Sequence, residues 1–169
     1  MRSDRLSFEK FGKIDFDLYF QLVNDENVMK MITGRPLSRT EALTKFQHIL
    51  KINEQSRQFG YYAVRNKWDG IFVGLAKVVL ANEGEAEIGY MILPEYWGKG
   101  YGTEISQQLI GYCKGIAGLK SLLAIIDPEN QASKRILEKG GFNLDEACEI
   151  AGLPAEIYKL VFKKLPLTQ

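Results

Sequence analysis

The sequence has little of several residue types that mark particular classes of protein. It holds only two cysteines, Cys113 and Cys148, and one histidine, so neither a disulfide framework nor a metal site is expected. Its 22 Lys and Arg residues nearly balance 21 Asp and Glu residues, which gives no reason to expect nucleic acid or an acidic membrane as partner. No apolar run approaches the length that crosses a bilayer, and the first residues lack the apolar core of a signal peptide. We therefore expect a cytoplasmic protein.

The composition is that of an ordinary folded domain. Apolar residues make up 46% of the chain and charged residues 25%, which argues against disorder. The sequence contains no internal repeat, low-complexity tract or linker. We therefore interpret residues 1–169 as one domain.

Hydropathy patterns and turn signals predict an alternation of strands and helices. Strands are expected at 5–10, 61–65, 71–80, 85–93 and 119–126, with two more between 142 and 164, the last of them at 157–162. Helices are expected at 15–24, after the capping box Ser38-Arg39-Thr40-Glu41, at 102–117, and from Asp127-Pro128 to Gly140. This order predicts an α/β (α+β) fold, with a mixed, mostly antiparallel sheet of about six to seven strands flanked by about four helices.

The segment 85–103 carries the clearest chemical signal. A strand leads into Pro94-Glu95-Tyr96-Trp97 and then Gly98-Lys99-Gly100-Tyr101-Gly102-Thr103, where a helix begins. Unpaired N–H groups and the helix dipole favour anions there, and glycines let a ligand approach the backbone. The segment does not match the dinucleotide fingerprint, because Thr103 and Ile105 stand where a glycine is required. It does not match the nucleotide P-loop either, because Gly100 follows Gly98-Lys99 in place of Ser or Thr. The glycines alone leave two readings open, a phosphate cradle of another kind or a flexible turn.

A second motif makes the first more specific. Asp127-Pro128-Glu129-Asn130-Gln131-Ala132-Ser133 opens a helix that closes with Glu138-Lys139-Gly140-Gly141-Phe142. The two motifs, in this order, resemble those of the GNAT superfamily of acetyl-CoA-dependent N-acyltransferases, and the resemblance covers almost the whole chain. Glu-Ile-Gly-Tyr at 87–90 and Pro-Glu-Tyr-Trp-Gly-Lys-Gly at 94–100 are most similar to the ribosomal-protein N-terminal (Rim-type) subgroup. Trp97 departs from the Gln or Arg that the wider family often has.

The resemblance implies acetyl-CoA as acyl donor and assigns residues to coenzyme A. The pyrophosphate would be held by backbone N–H groups of Gly98, Lys99, Gly100, Tyr101, Gly102 and Thr103. The strand edge at Met91, Ile92 and Leu93 would bond the pantetheine arm and polarise the thioester carbonyl. Asn130 would reach the pantetheine or a linking water, with Ser133 and Lys134 nearby, although helix capping is the alternative role of Asn130 and Ser133.

The same resemblance suggests which residues act as general base and general acid. The amine must lose a proton before it attacks, and Glu87 matches the strand position at which several family members place a base, with Glu85 as second candidate. The alternative is that both are exposed strand carboxylates. Many members use a Tyr as the general acid for the leaving thiolate, and the corresponding position here is Leu137. This leaves Tyr90, Tyr101, a water or no acid for the leaving thiolate.

We therefore expect acetyl transfer to a primary amine, by direct attack. The acceptor would be a protein N-terminus or a small molecule such as a polyamine or an antibiotic. No cysteine lies in the motif segment, so no acyl-enzyme is expected. The alternative is a non-catalytic acyl-CoA-binding or regulatory module of the same fold. The sequence is compatible with a monomer or a homodimer.

Overall fold

A computed structural model describes residue 1 and residues 3–162. The strands are β1 Leu6–Lys10, β2 Gly60–Asn66, β3 Phe72–Asn82, β4 Glu85–Ile92, β5 Ser121–Ile126, β6 Asn143–Ile150 and β7 Leu153–Val161. The helices are α1 Phe16–Val23, α2 Glu26–Met29, α3 Arg39–Gln55, α4 Tyr101–Lys114 and α5 Gln131–Lys139. The end of the predicted tail, at Lys163 and Lys164, lies outside the described residues.

All seven strands form one sheet in the order β1-β2-β3-β4-β5-β7-β6. Only β4 and β5 pair in parallel, and every other neighbouring pair is antiparallel. Four of the helices described have eight residues or more. The predicted mixed, mostly antiparallel α/β fold is therefore confirmed.

Helices cover both faces of this sheet. One buried apolar cluster includes side chains of α1 and α3, and the other includes side chains of α4 and α5. Successive side chains of a strand point to opposite faces. Accordingly, Ile88 and Ile92 of β4 belong to the α4 cluster, while Met91 and Leu93 pack in the α3 cluster.

The parallel pair β4–β5 is closed at one end and open at the other. Its register runs only from Glu85–Ser121 to Glu87–Leu123. At the closed end, the Ser121 hydroxyl donates to Glu85 at 2.7 Å, and the Lys159 ammonium of β7 lies 2.6 Å from the same carboxylate. Beyond Glu87 the two strands no longer pair, so their facing edges are separated. The site described below lies in this opening.

Two predicted helix starts had different outcomes. The capping box before α3 is confirmed, because the Glu41 N–H donates to the Ser38 hydroxyl and the Ser38 N–H donates to Glu41. The helix start at Asp127 is wrong. The Asp127 carboxylate accepts from the Glu129 N–H in a tight turn, and the Asn130 side chain accepts from the Ser133 N–H, so α5 begins at Gln131.

Within the described residues, no helix is long and apolar enough to span a bilayer. The same part of the chain brings no three His, Cys, Asp or Glu side chains together in a way that could hold a metal ion. Cys113 is buried and Cys148 is partly exposed, and both are free thiols.

Candidate functional site

The open end of the β4–β5 pair forms a cleft of about 980 Å³ that reaches both faces of the sheet. We call its wall on the α4 face the glycine side, which consists of the start of α4, the start of α5, and Ile88, Tyr90 and Ile92. We call its wall on the α3 face the lysine side. This wall consists of Asn27, Val28, Lys30, Met31, Ile32, Tyr61, Leu75, Lys77 and Met91.

The loop before α4 presents a run of free backbone N–H groups to the cleft. Gly98 and Gly100 have φ values of +71° and +81°, in the left-handed region that favours glycine. Among the residues described, the N–H of no residue from 98 to 103 makes a hydrogen bond of good geometry, whereas the Glu104 N–H donates to the Gly100 carbonyl at 3.1 Å. Such a run, at the positive end of a helix dipole, can bind a pyrophosphate.

Gly102 has a different reason to be glycine. A Cβ atom there would lie 3.0 Å from Ile136 Cδ1 of α5 and 3.5 Å from Tyr90 Cε2. Its lack of a side chain therefore lets the first turn of α4 pack closely against α5 and β4, which brings the walls of the glycine side together.

Arg5 braces this loop from the N-terminal strand region. Its Nε lies 2.7 Å from Glu104 Oε2, its Nη1 donates to the Lys99 carbonyl at 3.1 Å, and its guanidinium lies 4.3 Å from the centre of the Tyr101 ring. Burial raises the pKa of Glu104, but the hydrogen bonds from Ser3 and Arg5 outweigh it and leave this pKa below its ordinary value. Sequence reasoning missed Arg5, since 99 residues separate it from Glu104 and no local pattern links them.

The edge of β4 departs from the prediction for two of three residues. The Leu93 N–H donates to the Val73 carbonyl of β3 at 3.0 Å, and the Leu93 side chain is buried. Backbone groups alternate in direction along a strand, so those of Met91 also face β3, while those of Ile92 and Tyr90 face the cleft. Met91 therefore offers only its side chain to the cleft, and Leu93 offers nothing.

The predicted strand edge did not include the backbone of Ile88 and Tyr90, which shares the direction of Ile92. The alternation of a strand was a signal that could have found them. Trp97 also gains an explanation here, because its indole N–H donates to the Ile92 carbonyl at 2.8 Å. That bond anchors the residue before the glycine loop to the end of β4.

Tyr90 lies on the glycine side, beside the start of α5. Its hydroxyl is buried and has no hydrogen-bond partner among the residues described. Burial raises the pKa of Tyr90, and the neighbouring Ser133 side chain opposes this only in part. The hydroxyl thus stays protonated near neutral pH and keeps an unused donor within the wall of the cleft.

Neither of the two predicted carboxylates lines the cleft. Hydrogen bonds from Lys159 and Ser121 hold the pKa of Glu85 below its ordinary value, at the closed end of the β4–β5 pair. Glu87 forms an ion pair with Lys77, and Lys77 does line the cleft. The structure therefore places Glu87 one contact behind the wall of the lysine side and keeps Glu85 away from it.

The other predicted residues divide in the same way. Asn130 and Ser133 line the cleft, and Asn130 also caps α5. The Lys134 ammonium is instead paired with Glu156 of β7 at 2.8 Å, which raises the pKa of Lys134. The Lys99 ammonium lies 5.5 Å from the centre of the Tyr96 ring, and Lys99 is not among the residues that line the cleft.

Comparison with known sequences supplies relatives. Residues 5–143 match the acetyltransferase (GNAT) domain. An uncharacterized N-acetyltransferase of Bacillus subtilis, YoaA, is 25% identical over 84% of this chain and 81% of its own length. The spermidine N(1)-acetyltransferase of Escherichia coli K12 is 28% identical over 78% of this chain and 69% of its own length.

Solved structures share the fold. A GNAT-family acetyltransferase from Bacillus anthracis superposes with a TM-score of 0.80 at 23% identity, covering 95% of this chain and 97% of its own. The ribosomal L7/L12 alpha-N-protein acetyltransferase RimL, solved with coenzyme A, gives 0.78 at 16% identity, covering 94% and 95%. RimL is one such neighbour among many, so the predicted Rim-type subgroup gains no specific support. The domain match settles the broader question: the chain belongs to the GNAT family of acetyltransferases, which use acetyl-CoA.

Proposed function

We propose that this protein, as a single domain, transfers the acetyl group of acetyl-CoA to a primary amine by direct attack. One observation carries the proposal, the run of free N–H groups at 98–103 beside an unpaired strand edge in one cleft. E. coli spermidine N(1)-acetyltransferase, a relative, supports an amine as acceptor.

The residues of the glycine side fit coenzyme A. The N–H groups from Gly98 to Thr103 would hold its pyrophosphate. The cleft-facing backbone of Ile88, Tyr90 and Ile92 would pair with the pantetheine arm as an added strand does, with the Ile92 carbonyl already taken by Trp97. Asn130 and Ser133 would border that arm. When bound, acetyl-CoA supplies an activated thioester.

The protons would move through two residues on opposite walls. Glu87 would accept the amine proton through a water, since Lys77 lies between this carboxylate and the cleft. The buried Tyr90 hydroxyl would donate a hydrogen bond to the leaving thiolate, in place of the Tyr that many relatives have where Leu137 stands. Glu85 has no part in this scheme because it is bound at the closed end of β4–β5.

One observation also favours a second function, a coenzyme A-binding module without activity. Neither Glu85 nor Glu87 lines the cleft. A cleft of this kind would still bind the cofactor through its backbone, since the N–H groups at 98–103 need no side chain to do so.

A thiol-release assay with acetyl-CoA separates the two functions. The amine panel would contain polyamines, aminoglycosides and peptides beginning with Ser, Ala or Thr, with a thermal-shift measurement of coenzyme A binding alongside. Cys113 will not react with the thiol reagent, because it is buried and its pKa is raised to about 12 by burial. Cys148 will contribute a constant blank.

The variants Glu87→Gln and Glu85→Gln are a matched pair for this assay. Amine-dependent release that falls in Glu87→Gln and persists in Glu85→Gln would support transfer with Glu87 as proton acceptor. A thermal shift without release from any amine would favour the module. If coenzyme A produced no shift, the proposal for the glycine side would be wrong.

A further inference from the structure

The lysine side of the cleft has a charge pattern that the proposed reaction does not explain. Among the residues that the structure describes, its only charged side chains are those of Lys30 and Lys77. The single carboxylate that lines the cleft, within the described residues, is Glu129, and it lies in the turn before α5 on the opposite wall. An ammonium group entering the lysine side therefore meets two cations and no carboxylate on that wall.

The carboxylates on elements that border this wall do not line the cleft, and two of them are already engaged. Glu87 is paired with Lys77 and does not line the cleft. Asp25 accepts from the Val28 N–H at the start of α2, and neither Asp25 nor its neighbour Glu26 lines the cleft. Two lysines against one carboxylate leave a net positive charge at this wall.

Lys77 is positioned by the residue across from it. Gly89 is its partner in the β3–β4 register, and a Cβ atom on Gly89 would lie 2.8 Å from Lys77 Cε. The stem of Lys77 therefore crosses β4 over Gly89, and its ammonium meets Glu87. An ammonium has three donors, and the ion pair with Glu87 leaves donors for a ligand.

Apolar side chains surround the two lysines. Val28, Met31, Ile32 and Met91 line the same wall, and Val28 is nearly fully buried. They can contact the carbon skeleton of a small ligand while the lysines contact its charge. The wall thus combines an apolar surface with two cations and has no carboxylate of its own lining the cleft.

We propose that the amine acceptor also carries a carboxylate, which Lys77 and Lys30 bind. This inference rests on the proposed acetyl transfer and names the class of its acceptor. A polyamine would place further ammonium groups beside the lysines with no carboxylate on that wall to pair them, at a cost in free energy. An amine with a carboxylate would pair its anion with Lys77 and leave its neutral amine free to attack.

The first arm of the test uses matched acceptors with the wild-type protein. Thiol release would be measured for a series of amino acids with increasing distance between amine and carboxylate, each beside its carboxamide, and for spermidine. Two peptides that begin with Asp or Asn distinguish a protein N-terminus from a free amino acid as the source of the carboxylate. We expect kcat/KM to be at least about tenfold higher for the carboxylate member of the best pair.

The second arm removes the cations. Lys77→Met should abolish that preference, and Lys30→Gln, at an exposed position, should reduce it without endangering the fold. Lys45→Gln, on the exposed surface of α3, is the matched control and should leave the preference unchanged. Coenzyme A thermal shifts of all variants should equal that of the wild type, because the glycine side is untouched.

The outcomes separate the two proposals. Turnover of spermidine or of the carboxamides at equal or higher kcat/KM would overturn the carboxylate inference and leave acetyl transfer standing. A carboxylate preference that survives in both Lys77→Met and Lys30→Gln would overturn the assignment to these lysines. Failure of every amine, with an intact coenzyme A shift, would defeat acetyl transfer itself and the inference with it.

Discussion

The two walls of the cleft are built in different ways. The glycine side presents backbone N–H groups from one continuous segment, 98–103, with a strand edge beside it. The lysine side presents side chains from the segment around α2 and from three separate strands. Backbone groups suit the coenzyme A moiety, which every acyl-CoA donor shares. Side chains can instead distinguish one amine acceptor from another. The difference teaches why membership of the family follows from the sequence and the acceptor does not.

The largest effect is expected at Tyr90, on the glycine side. Tyr90→Phe should lower kcat by about 100-fold, because the leaving thiolate loses its donor, while binding at either wall is unchanged. The measurement is steady-state kinetics together with the coenzyme A thermal shift. Tyr101→Phe is the control, since Tyr101 lines the same cleft but packs between Arg5 and Tyr96. Equal kcat losses in both variants would refute the role of Tyr90.

A smaller effect should be confined to the glycine side. Gly98→Ala forces a Cβ into a left-handed conformation, at a cost of about 1–2 kcal/mol, and relief of that strain turns the N–H groups away. Coenzyme A should bind about tenfold more weakly, measured by calorimetry. The lysine side should keep its selectivity among acceptors.

Gly118→Ala provides the control for this change. Gly118 has a φ of +83°, and neither glycine has a heavy atom within 4 Å of an added Cβ, but Gly118 lies in the turn before β5, outside the cleft. Both variants should lose similar stability, and only Gly98→Ala should lose affinity. If Gly98→Ala and Gly118→Ala bound coenzyme A equally well, the assignment of coenzyme A binding to the glycine side would be contradicted.

The smallest effect is expected for the contacts of Glu104 with Arg5 and Ser3, which support the glycine loop. Glu104→Gln should lower the free energy of unfolding by about 1 kcal/mol at pH 7, because Arg5 and Ser3 lose a charged acceptor. The pKa of Glu104 is lower in the folded state than its ordinary value, so its stabilisation is complete above the ordinary value and is lost as the pH falls through the folded value. Urea titrations at pH 7 and below about pH 4 should show the gap between wild type and variant closing. A gap independent of pH would contradict this origin.

Local patterns predicted the fold well because most elements carry their own signals. Alternating strands and the Ser38 capping box appear where the sequence places them, and the sheet has the predicted character. The start of α5 was misplaced because two good capping residues, Asp127 and Asn130, stand three residues apart. Competition between two local hydrogen bonds decided the outcome, and sequence alone does not rank them.

The candidate site was predictable only where one segment builds it. The motif at 98–103 located the free N–H groups. The Leu93 N–H, the Lys134 ammonium and the Glu85 carboxylate are engaged by Val73, Glu156 and Lys159, and no local pattern predicts these tertiary contacts. Lys77 gave no signal as part of the site, because its position depends on strand register. Pairing between β3 and β4 brings it over Gly89, and no local pattern specifies that pairing.

The opening between β4 and β5 has a kinetic consequence, because it joins the two faces of the sheet. With acetyl-CoA bound on one face and the amine on the other, as proposed, neither would block the path of its partner. We expect either to bind first, with intersecting lines in double-reciprocal plots. An inhibitor could link a coenzyme A analogue, through this passage, to an amine that carries a carboxylate. It would contact both walls at once, and its affinity would increase through effective concentration.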